Sequence, residues 1–527
     1  MNAFVRLFSA VVLGVLSGYD RLVFRGTLRK LCYPLGLQHF LYAHRVPFKD
    51  FATFSQQTTE RLIDASLAQA RQLGREIRYL NSSQISKEEV ARAIARRDQI
   101  TQGLVCVLTA VEPSMTFCVR GNRATRRLEL RYQPRPCLHL YHCHLHPRFG
   151  WMHARLQTWF PFRVYVCLNG REWLARQMDQ AGLAYRRRDN SFTYLQDPDQ
   201  AQRLCDEQLR LNWPAALEAI RRDLHPAHEA IVARAPAAYY WSVHQSEWAT
   251  DVLFRSRAAL EAIYPRFVRH GVTAYGAADV LRFLGRQIPA SGQVPVRFNG
   301  TVETDCRQRP EGVRLKHRLN GNSLKLYDKG SVLRVETTIN QPADVRVYRP
   351  KEGEPDGPKD WRALRDGVAD LHRRAEVSQK ANERYLEALA AVKHATPLRQ
   401  LAEPLCRPAR RPGRSGAVGR RVRALNPLAA ADAALLTAVS RPEFLQNGLR
   451  NRDVRRLLYP AATADPAEQK RRSAAVTRQL ALLRGHGVLH KVPKTHRYVV
   501  SPAGRLAITA LLAARNASAE QLTAIPA

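Results

Sequence analysis

The stretch VRLKHRLNGNSLKLYDKGSVLRVETTI, residues 313–339, predicts three strands joined by short turns. Apolar and charged residues alternate within Val313–Leu319, Ser323–Tyr327 and Val332–Ile339, as they do in a strand whose two faces differ. Asn320-Gly321 is a strong hairpin signal, because both residues tolerate positive φ. Lys329-Gly330 predicts a second turn. The middle of the chain therefore contains an antiparallel β-meander.

The two faces of this meander differ in charge, since successive side chains point to opposite sides of a strand. The face predicted to join the core carries Val313, Leu315, Leu324, Leu326, Leu333, Val335 and Ile339. The opposite face carries Arg314, Lys316, Arg318, Lys325, Tyr327, Lys329, Arg334 and Glu336. Cations far outnumber acids there, and a tyrosine ring lies among them. This pattern indicates a surface for a phosphate backbone and a stacked base; an ordinary solvated face is the alternative.

The segments on either side of the meander favour an α+β chain of several domains, with a mixed or antiparallel sheet core and a helical insertion. Residues 1–200 are predicted to be mixed α/β: Asp20–Gly26 is typical of a strand, and Ser86–Arg97 of a helix with a serine cap. Residues 201–290 are predicted to be helical throughout. Residues 291–406 hold the meander and then a long helix within 360–395.

The C-terminal part begins with a basic segment. Residues 407–425, with seven arginines between positions 407 and 423, are predicted to be a flexible linker. The domain expected at residues 426–527 contains two helices, two short strands and a closing helix. Their predicted bounds are Phe444–Leu458, Ala467–Arg484, Val488–Val492, Arg497–Ser501 and Pro502–Ala514.

This order, carried by the string SAAVTRQLALLRGHGVLHKVPKTHRYVVSPAGRLAI at residues 473–508, resembles the winged-helix domain of MarR-type regulators and of plasmid replication initiators. The resemblance implies a helix in the major groove and a hairpin against the DNA backbone. Base contacts are expected from Thr477, Arg478 and Gln479. Backbone or minor-groove contacts are expected from Arg484, Lys491, Lys494, His496 and Arg497. A winged helix used only for protein contacts is the alternative.

A second resemblance lies in KLYDKGSVLRVETTIN, residues 325–340, which is similar to a strand pair of rolling-circle replication initiators from plasmids and filamentous phages. The matching positions are Tyr327, Asp328, Lys329, Arg334 and Glu336. In that family the sheet supports metal-assisted attack of a tyrosine on single-stranded DNA. The resemblance makes Glu336 or Asp328 a candidate metal ligand and Tyr327 a candidate catalytic group. Tyr385, in a later helical segment, is the candidate nucleophile.

A histidine-rich strand supplies the other candidate metal ligands. His142, His144 and His146 share one face of an extended strand, and imidazoles two residues apart can chelate a divalent cation. His144-Leu145-His146 is also the His-hydrophobe-His pattern of relaxases and rolling-circle nucleases, which bind Mg²⁺ or Mn²⁺. A surface strand without metal is the alternative.

The bulk composition agrees with a polyanionic partner. The 527 residues include 83 Lys and Arg against 46 Asp and Glu, a formal net charge of +37, and 45% hydrophobic residues indicate folded domains. The nine cysteines include no CxxC pair, which favours a reducing compartment. The apolar N-terminus, residues 1–17, is interpreted as structural, and no stretch has the length of a membrane span.

These observations predict a DNA-binding protein of a mobile element or replicon, located in the bacterial cytoplasm with the nucleoid. A metal-dependent nicking or strand-transfer enzyme using Mg²⁺ or Mn²⁺ is a second hypothesis, and a protein that binds structured RNA is a third. The sequence leaves the target site and the oligomeric state open.

Overall fold

The computed structural model describes residues 2–82, 84–286, 294, 298–310, 312–351, 353–354, 356–390, 398–410, 421–441, 444, 448–461, 463–493 and 495–516. The chain divides into two compact units. The first, here called the sheet unit, comprises Met1–Arg269, Phe283–Gly285 and Glu303–Leu389. The second, here called the C-terminal unit, comprises His270–Arg282, Arg286–Val302 and Ala390–Ala527.

Strands and helices alternate along the chain, as expected for a mixed α+β protein. The strands are β1 Val12–Thr27, β2 Glu76–Tyr79, β3 Gly103–Asn122, β4 Arg127–His146, β5 Gly150–Gln157, β6 Val164–Asn169, β7 Tyr185–Arg188, β8 Ser191–Leu195, β9 Tyr240–Phe254, β10 Val302–Arg309, β11 Gly312–Leu319, β12 Asn322–Asp328, β13 Val332–Ile339, β14 Arg346–Arg349, β15 Asp360–Ala363, β16 Ala409–Arg410, β17 Arg421–Val422, β18 Leu489–Lys491 and β19 Tyr498–Val500.

The α-helices are α1 Asn2–Leu7, α2 Pro34–Ala43, α3 Phe51–Gln72, α4 Lys87–Arg97, α5 Gly170–Gln180, α6 Pro198–Asp206, α7 Trp213–Leu224, α8 His228–Val232, α9 Arg257–Glu261, α10 Tyr264–Thr273, α11 Ala277–Phe283, α12 Leu371–Leu389, α13 Leu398–Cys406, α14 Ala430–Val439, α15 Asn451–Leu458, α16 Pro466–Gly485 and α17 Pro502–Asn516. Short 3₁₀ helices occur at Arg29–Leu31, Phe48–Asp50, Glu207–Arg210, Pro342–Asp344 and Val368–Asp370.

An 11-stranded sheet forms the centre of the sheet unit, in the order β10-β11-β12-β13-β9-β1-β6-β5-β4-β3-β2. The pairs from β11 to β4 are antiparallel, and β2 pairs with β3 in parallel, so the sheet is mixed, as predicted. The meander has the expected register, with Arg318 opposite Ser323 and Lys325 opposite Glu336. Its turns use the left-handed region, with φ of 51° at Asn320 and 87° at Gly330.

The two sides of this sheet differ in chemistry. The apolar face is the side that carries Leu326, Val335 and Trp248, and helix α12 covers this part of it. Asn382 of α12, for example, donates to the carbonyl oxygen of Val335 at 3.1 Å. The charged face is the side that carries Lys325, Glu336 and Glu247, and it holds the candidate site.

The prediction that residues 201–290 are helical throughout is wrong. Helices α6 to α11 lie at least partly in this segment, but β9 crosses it and pairs with both β1 and β13 near the middle of the sheet. The long helix expected within 360–395 is shorter than predicted. Residues Asp360–Ala363 form β15, α12 spans Leu371–Leu389, and 391–397 lie outside the described residues.

The C-terminal unit has its own core, which includes Leu436, Val454, Val476, Leu483 and Ile508. Helix α14 is followed by α15, α16, the hairpin β18–β19 and α17. Leu449, just before α15, forms an isolated bridge to Tyr498 of β19. Helix α15 begins at Asn451, later than the predicted Phe444. Of the predicted linker, β16 and β17 pair with each other, and 411–420 lie outside the described residues.

None of the described helices combines the length and the apolar character that a bilayer crossing requires. All nine cysteines are free thiols.

Candidate metal centre on the charged face

A β-bulge in β1 determines the direction of Asp20. Tyr19 pairs with Trp248 of β9 and Arg21 pairs with Glu247, so Asp20 is an extra residue in β1. A bulge re-aims side chains beside it. Tyr19 packs edge-on against Trp248 on the apolar face, with ring centroids 4.8 Å apart, whereas Asp20 and Arg21 both line a cleft on the other side. The bulge therefore brings the Asp20 carboxylate to the charged face.

Three carboxylates from adjacent strands meet beside this bulge. They belong to Asp20 of β1, Glu247 of β9 and Glu336 of β13, and one oxygen of each lies within 4.8 Å of the other two. Glu336 pairs with Ala249, and Glu247 lies two residues from Ala249 on the same face of β9. Carboxylate oxygens at this spacing are the donors that Mg²⁺ and Mn²⁺ prefer.

The ammonium of Lys325 lies among these acids. Its Nζ donates to Glu336 Oε1 at 2.6 Å and to Glu247 Oε1 at 3.2 Å. Burial lowers the pKa of Lys325, but the two glutamates outweigh burial, so that the net pKa is raised and the side chain stays charged. Lys325 is therefore a resident cation of the site.

A second group of charges holds Asp20 from the other side. Arg334 forms a bidentate pair with Asp251, at 2.6 and 2.9 Å, and also donates to Asp20 Oδ1 at 3.1 Å. Arg171 reaches Asp251 at 3.0 Å. The amide of Asn190 donates to both oxygens of Asp20, at 2.9 and 2.7 Å. These contacts fix the carboxylate of Asp20 in one orientation.

The two aspartates of this network have pKa values shifted in opposite directions. Burial raises the pKa of Asp20 to about 6, with Glu336 and Glu247 adding to the rise and Arg334 opposing it. Burial also acts to raise the pKa of Asp251, but Arg334 and Arg171 outweigh it and the net pKa is lowered. The raised pKa of Asp20 means that the cations around it do not fully offset burial and the two neighbouring glutamates, so a further positive charge is favoured at Asp20.

Two of the three carboxylates, those of Asp20 and Glu247, line a cleft of about 620 Å³, and Glu336 lies buried behind them. Asn190 also lines the cleft, together with groups from α4, β5, α5 and β7: Glu88, Arg92, Trp151, His153, Glu172 and Arg187. Arg92 lies over the Trp151 ring at 4.5 Å and pairs with Glu88 at 2.9 Å, and Arg187 pairs with Glu172 at 2.7 Å. The walls therefore offer aromatic, cationic and acidic groups to a polar ligand.

The meander does not present the exposed basic surface that its alternation predicts. Lys325 is 8% exposed and Arg334 is 1% exposed, and both are paired with acids as described above. Arg314 and Arg318 pair with Asp305 at 3.2 and 3.4 Å. Lys316 and Lys329 are half-buried, and Lys329 lies 5.3 Å from the Tyr327 ring centroid. Asp305, from the neighbouring strand β10, pairs with Arg314 and Arg318, whereas Asp20, Glu247 and Asp251 come from strands distant in sequence. The prediction of an exposed basic face is therefore wrong.

Histidines 142, 144 and 146 lie on one face of β4, as predicted, but on the opposite side of the sheet from Glu336. Directly opposite neighbours run from Ser246 through Leu22, Leu168 and Met152 to His144, which places the three imidazoles on the apolar face. Among the described residues, the only cluster of three or more acids, histidines or cysteines close enough to share a metal is the carboxylate set above. The three histidines therefore do not join the carboxylates in one centre, and a metal bound by the histidines stays a prediction.

The predicted tyrosine and aspartate groups have different surroundings. Tyr385 is fully buried between α12 and the sheet, and its hydroxyl lies 3.0 Å from His317 Nε2, so it is inaccessible to a polynucleotide and the nucleophile prediction is wrong for this fold. Tyr327 is half-buried on the charged face, and burial, then Glu336, raises its pKa to about 12. Asp328 accepts from the Gly330 amide at 2.8 Å and so caps the turn.

In the C-terminal unit, several residues that the sequence predicts to contact nucleic acid lie at the surface of α16 and the hairpin. Arg478, Lys491 and His496 are exposed, and Gln479, Arg484 and Arg497 are half-buried. The Thr477 hydroxyl is exposed but donates to Ser473 O at 2.9 Å and accepts from the Asn451 amide at 2.8 Å. It therefore links α15 to α16 rather than offering a free donor. Lys494 lies outside the described residues.

Sequence reasoning found Glu336 but missed Asp20, Glu247 and Asp251. Glu247 and Asp251 are four residues apart, a spacing that places two side chains on one face of a helix as well as of a strand. A helical reading of this segment therefore concealed their role on the sheet. The bulge that turns Asp20 has no signal in the sequence itself.

No family model matches the chain, and neither the curated proteins nor the solved structures include one that is similar to it.

Proposed function

We propose that the protein binds DNA and carries out metal-dependent phosphodiester chemistry on it, at Asp20, Glu247 and Glu336. The observation that carries the proposal is the bulge-directed meeting of these three carboxylates beside a cleft that Asp20 and Glu247 line. A purely structural ion-pair network is the alternative. The raised pKa of Asp20, which lies beside Glu247 and Glu336, favours a ligand of positive charge.

The residues of the site have different roles. Asp20, Glu247 and Glu336 hold Mg²⁺ or Mn²⁺, which when bound polarises a phosphoryl oxygen and activates a water molecule. Asn190 and Arg334 orient Asp20. Lys325 donates to Glu247 and Glu336 and so fixes the positions of both carboxylates beside Asp20. Arg21 and Arg92, which line the cleft, attract the phosphate backbone.

The test is a nicking assay on supercoiled and single-stranded DNA with Mn²⁺ or Mg²⁺. Wild-type protein is expected to nick in the presence of the metal and to be inactive with excess chelator. Asp20→Asn, Glu247→Gln and Glu336→Gln should each lower the rate about 100-fold or more, since each removes a charged ligand.

Glu303→Gln is the matched control, because Glu303 is an exposed glutamate of β10 outside the carboxylate cluster. It should nick at the wild-type rate. Thermal melting of every variant separates loss of the fold from loss of chemistry. DNA left intact by wild-type protein with each metal contradicts the enzymatic part of the proposal.

Nucleic-acid binding without chemistry is the second candidate. It is favoured by the exposed basic residues on α16 and the hairpin, in an element order that resembles a winged helix. Salt-matched affinities for duplex DNA and folded RNA distinguish a DNA partner, expected for a mobile element or replicon, from an RNA partner.

A further inference from the structure

A separate pocket of about 230 Å³ lies on the apolar face of the sheet, between β4, β5 and helix α7. Its inner wall contains His142, which is 2% exposed, with Phe149, Met152 and Ile220 beside it. Gln69, Arg148 and Asp223 are exposed residues of its lining and form its mouth. An engineered apolar cavity of about 150 Å³ holds one benzene molecule, so this pocket has room for a larger ring system.

Hydrogen bonds determine which nitrogen of His142 carries a proton. The Ser66 hydroxyl donates to Leu224 O at 2.7 Å, so its oxygen must accept from His142 Nε2, which lies 3.0 Å away. His142 Nδ1 is then a lone-pair acceptor. Burial lowers the pKa of His142 to about 3, which agrees with a neutral ring that has one acceptor.

Hydrogen bonds also determine which nitrogen of His146 carries a proton. Its Nδ1 accepts from the backbone amides of Arg148 and Phe149, at 3.0 and 3.2 Å, so Nε2 carries the proton and is a donor. A metal ion bound at Nε2 would require a tautomer change and the loss of both amide bonds. This locked donor, with the lack of convergent ligand atoms among the described residues, argues against a metal here.

The remaining charges of the lining balance. Asp223 contributes one negative charge and Arg148 one positive charge, and the histidines have lowered pKa values and are neutral near pH 7. A ligand for this pocket therefore needs no net charge. It needs apolar faces for Phe149 and Met152, and donors and acceptors at its edge for His142, His146 and Asp223.

We propose that this pocket binds an uncharged, planar nitrogen heterocycle of one or two rings, of the purine or pyrimidine base type. Such a molecule combines flat apolar faces with alternating donors and acceptors at its edge. The proposal is independent of the metal chemistry, because the pocket and the three carboxylates lie on opposite faces of the sheet.

The test is isothermal titration of the full-length protein with hypoxanthine, adenine, cytosine and uracil. At least one base is expected to bind with 1:1 stoichiometry. Benzimidazole has the same two-ring shape with fewer edge groups, and it should bind at least about tenfold more weakly. Asp223→Ala should weaken binding of the base by about tenfold, because it removes an edge acceptor.

Ala216→Leu, which fills the pocket from α7, should abolish binding. Ala215→Leu is the matched control, because Ala215 is the exposed neighbour on the same helix and does not line the pocket. It should bind like wild type. Three results overturn the proposal: no binding of any base, equal binding of benzimidazole, or displacement of the bound base by Zn²⁺ at equimolar concentration.

Discussion

The ammonium of Lys325 lies 2.6 Å from a carboxylate oxygen of Glu336, on the charged face of the sheet. The same ammonium reaches Glu247 at 3.2 Å, so one lysine serves two of the three carboxylates that we propose as metal ligands. Removing one member of a buried ion pair leaves an uncompensated charge, which typically costs about 3–5 kcal/mol.

Lys325→Met is therefore expected to lower the free energy of unfolding by about 3 kcal/mol in the absence of metal. Added Mn²⁺ should raise the melting temperature of this variant more than that of wild type, because the freed carboxylates gain a cation. Thermal melts with and without Mn²⁺ measure both effects. Lys316→Met is the control, since Lys316 lies opposite Lys325 but makes no ion pair with a described residue. Equal Mn²⁺ shifts in Lys325→Met and wild type would count against a metal at this cluster.

Tyr385→Phe is expected to leave every activity on DNA unchanged. The Tyr385 hydroxyl contacts His317 Nε2 at 3.0 Å in the interior, so its loss should reduce the free energy of unfolding by about 1 kcal/mol. Urea denaturation and the nicking assay, run on the same preparation, check both parts. A variant that is fully folded but unable to nick would restore Tyr385 as a nucleophile and refute its assigned position.

Four buried histidines should make the protein sensitive to mild acid. Burial is the main cause that lowers the pKa to about 3 or 4 in His139, His142, His225 and His317, from an ordinary value near 6.5. Between pH 6.5 and 4 the unfolded chain binds more protons at these sites. The free energy of unfolding therefore decreases as the pH is lowered, by up to about 1.4 kcal/mol per pH unit for each histidine. Asp20, whose pKa is raised to about 6, has the opposite effect between pH 4 and 6, but it is one group against four histidines.

His225→Leu tests this origin, because both ring nitrogens of His225 are buried without a hydrogen-bond partner. Its urea denaturation midpoint should fall less than that of wild type between pH 6.5 and 4.5. His39→Leu, the same substitution at an exposed position of α2, is the matched control for these midpoints. Identical slopes in wild type and His225→Leu would exclude His225 as a contributor.

Exposed cations of the C-terminal unit should determine the salt dependence of DNA binding. Arg478→Ala and Lys491→Ala are each expected to weaken duplex binding and to reduce the slope of log K against log salt by about one, the release expected for one phosphate contact. Fluorescence anisotropy at several salt concentrations gives both values. Arg515→Ala, on the exposed part of α17, is the control. A slope that stays constant in both variants would remove α16 and the hairpin from the interface.

Local patterns predicted the local structure well. Asn320-Gly321 and Lys329-Gly330 gave the meander its turns and its register, because these signals act between neighbouring residues. The burial of the charged side was not predictable in the same way. The acids that pair with Arg334 are Asp20 and Asp251, which lie 314 and 83 residues away in the chain. Only the order of strands in the sheet brings them together.

The position of the histidines relative to the acids was not predictable from the sequence either. The alternation rule placed His142, His144 and His146 correctly on one face, but it contains no information about which side of the sheet the acids occupy. The tautomers of His142 and His146 depend on Ser66 and on the amides of a turn, and neither contact has a signature in the chain.

The extra residue in β1 adds one side chain to the charged face without disturbing the alternation on either flank. Deleting Asp20 would leave Tyr19 opposite Trp248 and Arg21 opposite Glu247 in regular pairing, so every remaining side chain of β1 would keep its side of the sheet. The hydrophobic core would be preserved, and only the carboxylate beside Glu247 and Glu336 would be lost. A chain shortened by this one residue should therefore fold normally and lack the site.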